Sequence, residues 1–193
     1  MTTRLQLISH ASTAATARAA FPGDEPLDPR GLRRAEALAG RVTGTRSSLT
    51  GPELRCTQTA KALGLTAMVD PSLRDWDSGR WSGRTLAETE AREPEAVREW
   101  LADPAATPHG GESILDLIER VTAWLSGLTS GSIAAITHPA VIRAAVVHAV
   151  EAPPARFWHI DVEPLAGVFL SGRAGRWRLR YVSADDRGHH LSE

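Results

Sequence analysis

The chain has 193 residues, 42% of them hydrophobic and 23% charged, enough for one sizeable core and too few for two ordinary domains, so a single domain over 1–193 is expected. With 22 basic and 23 acidic side chains the formal charge is -1, which draws the chain to neither nucleic acid nor a membrane surface; any anion site must be local. Cys56 is the only cysteine, which excludes an internal disulfide and a multi-cysteine metal site; with no secretory pattern and no bilayer-length apolar run, a cytoplasmic protein is expected.

The first apolar run, Leu5-Gln6-Leu7-Ile8, stops at Ser9-His10-Ala11-Ser12-Thr13. An apolar run closed by small polar residues reads as a buried strand entering a loop, and open α/β sheets place their ligand crevice just beyond such strand ends, so His10 stands where chemistry is expected. The segment 21–27, with two prolines and a glycine, reads as a surface loop near His10. Asp28-Pro29 supplies an N-cap and a first-turn proline, and Leu32, Ala35, Leu38 and Ala39 share one face of the helix that follows. A short strand over 46–49 ends at Thr50-Gly51-Pro52, and the helix expected from about 53 to 63 carries Arg55 in its first turn, where it can lean toward the crevice as an anion ligand.

Residues 66–69 suit another strand, and 73–83 is too rich in glycine and polar residues for a helix. Helical patterns resume over 86–93 and 94–101, with Trp100 turned inward. The clearest amphipathic helix is 112–128, where Ile114, Leu117, Ile118, Val121, Trp124, Leu125 and Leu128 recur at helical spacing. Next, Ile133-Ala134-Ala135-Ile136 runs into Thr137-His138-Pro139 and a helical stretch over 141–150, giving a second strand-end histidine. Residues 166–170 and 177–182 read as a hairpin-like strand pair.

In chain order, strand-His10, the proline-capped helix, Gly51-Pro52-Glu53-Leu54-Arg55-Cys56-Thr57-Gln58-Thr59-Ala60, Leu73-Arg74-Asp75-Trp76-Asp77-Ser78-Gly79-Arg80-Trp81-Ser82-Gly83, Gly110-Gly111-Glu112-Ser113 and strand-His138 resemble the histidine phosphatase superfamily, the phosphoglycerate mutase-like proteins. The resemblance spans nearly the whole chain. It implies a three-layer α/β/α sandwich with a mainly parallel sheet. It also implies that His10 is a nucleophile that becomes a phosphohistidine, that His138 stabilises the transferring phosphoryl group, and that Arg55, the arginine of the motif Ser-Pro-Leu-x-Arg-Ala-x-Gln-Thr-Ala, clamps phosphate. Asp75 matches the proton donor, usually glutamate, ahead of Gly-x-Trp-x-Gly. Thr16 and Arg18 fall near an asparagine and an arginine of the loop after the nucleophile, a loop that is shorter here.

Two departures bear on activity. The signature Arg-His-Gly is Ser9-His10-Ala11, so one phosphate-binding arginine is replaced by a neutral hydroxyl, and Pro139 follows the second histidine where glycine is usual. Arg18 is expected to supply the missing charge, and Asp75, held among apolar residues such as Trp76 and Trp81, is expected to carry a raised pKa. Phosphoryl transfer depends on positioning and cationic donors, and neutral imidazole is a competent nucleophile, so the scheme implies no metal and no cofactor. The expected function is a metal-independent phosphatase acting on a small phosphorylated metabolite. The alternative is a degenerate relative that binds a phosphorylated or anionic ligand without turnover. A mutase fits less well, because the chain lacks the long insertions that enclose a bisphosphate.

Overall fold

Two seven-residue strands, β1 (Thr3–Ser9) and β4 (Gly131–Thr137), lie side by side and parallel in the computed structural model, which describes residues 2–173 and 175–180. β2 (Ser47–Thr50) and β3 (Met68–Val69) extend the parallel array beyond β4, while β5 (Gly167–Arg173) and β6 (Arg176–Arg180) run antiparallel on the other side of β1. The order is β3-β2-β4-β1-β5-β6. β4 is buried at nearly every position, as befits a parallel strand covered on both faces.

Side-chain alternation divides the core. Leu5, Leu7, Ile133 and Ala135 face Leu117, Val121 and Leu125 of α6 (Ile114–Gly127) and Ile142 and Ala145 of α7 (Pro139–Ala149). Ile8 and Ile136, of opposite parity, pack with Cys56 and Ala60 of α3 (Leu54–Ala62). The outcome is the expected α/β sandwich with helices on both faces. A third cluster, Phe21, Trp81, Val97 and Trp100 with Trp76 and Trp158 against it, ties the 73–83 segment to α5 (Pro94–Ala102) and to the 3-10 turn Pro154–His159. Here Trp76 and Trp100 stack at 5.3 Å.

Local chemistry explains most helix boundaries. Ser113 and Asp116 form a capping box at the start of α6, as do Thr85 and Glu88 at α4 (Leu86–Arg92), and Asp28 accepts the Gly31 N–H at 2.6 Å to open α2 (Pro29–Glu36). The buried face of α2 differs from the expectation, since Leu32 is 41% exposed while Gly31 and Ala35 are buried. A Cβ on Gly31 would collide with backbone atoms of Ser12, so α2 rests on the loop after β1 through its glycine, and this contact sets its rotation. β3 is confined to two residues of the expected four, and the end of the expected hairpin at 181–182 lies outside the described residues. Among the described residues no helix is long and apolar enough to cross a membrane.

Candidate active site

The β1/β4 register pairs Ser9 with Thr137, so His10 and His138 are the first residues beyond two adjacent parallel strands. The His10 N–H donates to the Thr137 carbonyl at 2.8 Å, and the two imidazoles stand 5.3 Å apart, edge to face at 62°. Nδ1 of His10 lies 2.8 Å from the Ala11 carbonyl oxygen. A carbonyl can only accept, so Nδ1 carries the proton and Nε2 keeps its lone pair. Burial, reinforced by the neighbouring His138, pushes the His10 pKa down to about 4, which leaves the ring neutral at physiological pH.

His138 is the inverse case. It is fully buried at the N-cap of α7, ahead of Pro139 in the first turn, with Nδ1 3.2 Å from Asp75 Oδ2 and Nε2 2.7 Å from Glu53 Oε2 and 3.3 Å from Cys56 Sγ. Burial opposes its charge, but Asp75 on one side and the Cys56 and Glu53 contacts on the other outweigh it, and its pKa rises well above the usual histidine value.

Asp75 corrects one expectation. Burial favours its neutral form, yet His138, Arg55 and His10 together outweigh burial and hold its carboxyl well below the usual carboxylate range. Its Oδ2 meets Arg55 Nη2 at 2.6 Å and its Oδ1 accepts the Trp76 N–H at 2.8 Å. The Trp76 ring stacks on Trp100, so the cations set the ionisation of Asp75 and the ligand-free carboxyl is charged rather than protonated.

Arg55 is 1% exposed. One guanidinium NH₂ group donates to the Gly23 carbonyl and the other to Asp75, while its buried Nε–H has no partner among the described residues. A buried donor left open is uncommon and marks a place for an acceptor. The helix that carries Arg55 is tied to β1 through Thr59, whose hydroxyl accepts the Ala11 N–H at 3.0 Å and donates to the Arg55 carbonyl at 2.7 Å.

Arg18 is the second correction. Thr13 and Thr16 form a capping box that starts the one-turn α1 (Ala14–Ala17) directly after His10, and this turn carries Arg18 to the surface. There its Nε donates to the Ala14 carbonyl at 3.4 Å and its charge falls on Glu88, so it does not supply the cation that Ser9 lacks. The Thr16 hydroxyl is engaged with Thr13, 3.2 Å away, rather than with the histidine pair. Ser9 is buried, its hydroxyl 3.4 Å from the His10 carbonyl oxygen.

Two further groups complete the site. Arg120 of α6 donates through Nε and Nη2 to both carboxylate oxygens of Glu112 at 2.7 Å and through Nη1 to the Ser72 carbonyl at 2.8 Å, fixing the turn that presents Asp75. It was illegible in sequence, being one arginine on the polar edge of an amphipathic helix. Glu53 was visible as the residue standing where the motif has leucine. Glu53, Cys56 and His138 are of metal-ligating type and their donor atoms lie within 4.8 Å of one another. The 2.7 Å between Glu53 Oε2 and His138 Nε2 is a hydrogen bond, shorter than the roughly 3.3 Å that separates two tetrahedral ligands held about 2.0 Å from an ion, so the trio is not arranged as a ligand set.

Two histidines at the ends of adjacent parallel strands thus meet a buried arginine and a carboxylate at the carboxyl edge of the sheet. The family model for the histidine phosphatase superfamily (branch 1) matches residues 5–185, and the chain belongs to that superfamily. Among its relatives, the Bifunctional protein Rv2228c of Mycobacterium tuberculosis is 31% identical over 179 residues, covering 85% of this chain and 49% of that protein; the chain thus spans about half the length of this relative. Glucosyl-3-phosphoglycerate phosphatase of Mycolicibacterium vanbaalenii is 33% identical over 125 residues, 61% of this chain and 56% of the relative. The solved structure of the mycobacterial glucosyl-3-phosphoglycerate phosphatase Rv2419c with VO3 is 27% identical, with a TM-score of 0.81 over 92% of this chain and 97% of that one.

Proposed function

We propose that the chain is a metal-independent phosphatase that hydrolyses a small phosphomonoester through a phosphohistidine on His10. The observation that carries this reading is the Nδ1 contact of His10 with the Ala11 carbonyl, which leaves a neutral ring with its Nε2 lone pair free beside a second, protonated histidine. In this reading Nε2 attacks phosphorus as the ester P–O bond breaks. Arg55, through its open Nε–H, and His138 hold the equatorial oxygens where negative charge spreads. Water then cleaves the P–N bond and returns His10 to its free form.

Asp75 enters as the acid for the leaving alcohol. Without substrate its Oδ2 bridges Arg55 and His138, the position a phosphoryl oxygen would claim. An arriving phosphate takes over those cations and leaves the carboxyl next to a dianion, which favours its protonated form. The relatives named as phosphatases of glucosyl-3-phosphoglycerate and phosphoserine support a small phosphorylated metabolite as substrate. The 73–83 segment, with Trp76 next to Asp75, supports a partly apolar group beside the phosphate.

The test is turnover of a panel of phosphomonoesters by purified protein in the presence of a chelator, with acid-labile phosphohistidine trapped by rapid quench. Turnover and trapping that vanish in His10→Ala are expected. A second reading, binding without turnover, is favoured by the balance of charges, because Arg55 and His138 face Asp75 and Glu53 and leave no net positive charge. Tight vanadate binding with no hydrolysis of any ester would establish that reading and overturn the first.

A further inference from the structure

The stretch Gly51 to Ala60 departs from the motif it resembles at three places, Gly51 for serine, Glu53 for leucine and Cys56 for alanine. All three departures meet at one atom, Nε2 of His138. Glu53 Oε2 lies 2.7 Å from it and Cys56 Sγ 3.3 Å, and a Cβ on Gly51 would stand 3.2 Å from it and 3.1 Å from Glu53 Oε2. The same Cβ would press to 2.8 Å from the Leu73 carbonyl oxygen, so glycine at 51 makes the room in which the carboxylate reaches the ring.

Glu53 is also diverted from its local task. It is the N-cap residue of α3, yet its side chain caps nothing there; the Leu54 N–H is taken by Asp24 at 2.7 Å instead. Its second oxygen accepts the Asp75 N–H at 2.9 Å, which locks the carboxylate between the histidine and the acid's own backbone. We propose that Glu53 is a positioning residue for His138: its carboxylate grips Nε2, keeps a proton on the ring, and so makes the second histidine the fixed cation that Ser9 does not provide.

This assignment rests on the phosphatase reading for its purpose, but not for its measurement. The groups that face His138 are Glu53 at the N-cap of α3, Cys56 within that helix, Asp75 from the segment after the turn Pro71–Leu73, and His10 from the end of β1; Arg55 of α3 faces Asp75 and His10. Cys56 supports the ring through its 3.3 Å contact with Nε2, but burial pushes its thiol up, which makes it the weaker partner beside the Glu53 carboxylate. Asp75 is shared with Arg55 at 2.6 Å and must leave both cations when phosphate arrives. Glu53 holds Nε2, the nitrogen opposite the one that Asp75 contacts, so its grip does not depend on that exchange.

The experiment is a titration of the histidine side chains by 1H–15N NMR on the full chain, with the His138 signals assigned by their loss in His138→Gln. His138 should titrate with a midpoint well above the ordinary histidine value in the unaltered chain, and Glu53→Gln should lower that midpoint by about one unit or more, since an adjacent opposite charge favours the charged form by that order. A His138 midpoint at or below the ordinary value of about 6.5 in the unaltered chain overturns the assignment, and this readout does not depend on the folding of Glu53→Gln. A midpoint that Glu53→Gln does not move overturns it as well. Where an ester is turned over, the alkaline limb of kcat/KM should move down with the midpoint in Glu53→Gln, a displacement that a merely structural role would not give. If no ester is hydrolysed, the phosphatase reading fails and the NMR titration still decides the role of Glu53.

Discussion

A guanidinium that is 1% exposed and bonded to one carbonyl and one carboxylate keeps its Nε–H in reserve, and that reserve is specific to arginine. Arg55→Lys keeps the charge but loses the fork, so vanadate affinity, read by calorimetry, should fall about tenfold or more, the size of one charge-assisted hydrogen bond. The two histidines give opposite pH signatures. His10 has a folded pKa near 4, so below the unfolded value of about 6.5 the unfolded chain binds a proton that the folded chain refuses, and stability drops as pH falls toward 4. His138, raised, contributes stability that is full below about 6.5 and is lost as pH rises through its folded value. The His10 effect amounts to about 3 kcal/mol at full extent, and urea unfolding of His10→Gln between pH 7 and pH 4 should show a correspondingly smaller acid loss than the unaltered chain. At this scale the sequence was legible in which residues meet, since His10, His138, Arg55 and Asp75 come together at the strand ends. It was not legible where the role depends on distance. The ionisation of Asp75 follows from cations 2.6 and 3.2 Å away, and the outward course of Arg18 follows from a capping box built on two threonines.

Elements bring these residues together through a few tight backbone contacts. The segment after Asp75 is clasped to the 107–113 loop: the Glu112 N–H donates to the Asp77 carbonyl at 2.9 Å and the Arg80 N–H to the His109 carbonyl at 3.1 Å. Gly79, at φ +51°, and Gly111 make the clasp possible, because a Cβ on either would collide with the opposing backbone. Behind the clasp, the half-buried Arg120–Glu112 pair holds the Ser72 carbonyl. Arg120→Ala strands the Glu112 carboxylate and loosens the turn before Asp75, so it should cost about 1–3 kcal/mol in urea unfolding. It should also slow alkyl phosphates more than aryl phosphates, whose leaving groups need little protonation. Helical periodicity exposed α6 plainly, because its apolar stripe is long. It misjudged α2, whose contact is made by Gly31, a residue with no side chain to enter a periodicity.

The molecule as a whole is what makes the site, because its two histidines come from strands separated by most of the chain and meet only through the β1/β4 register. The sequence showed both strand ends and their carboxyl-edge loops. The lateral order of the strands and the antiparallel β5 beside β1 were not written in any local pattern, since parallel partners share no turn. This arrangement ties the stability of the site to that of the core. The His10 N–H is held by Thr137 and the Gly51 N–H by Ile136, both at the buried centre of the sheet, whereas β3, with Met68 and Val69 exposed, sits at its edge. Amides at the sheet centre exchange only when the whole fold opens, and edge amides exchange through local fraying. In hydrogen exchange at neutral pH, the amides of His10 and Gly51 should therefore be among the slowest, protected about ten-thousandfold or more as a global stability above roughly 5 kcal/mol requires, while those of β3 exchange orders of magnitude sooner. Adding denaturant should speed His10 and Gly51 in step with global unfolding. Exchange at His10 as fast as at β3 would mean that the strand ends part without unfolding, and the pairing of His10 with His138 could then not be a fixed feature of the resting site.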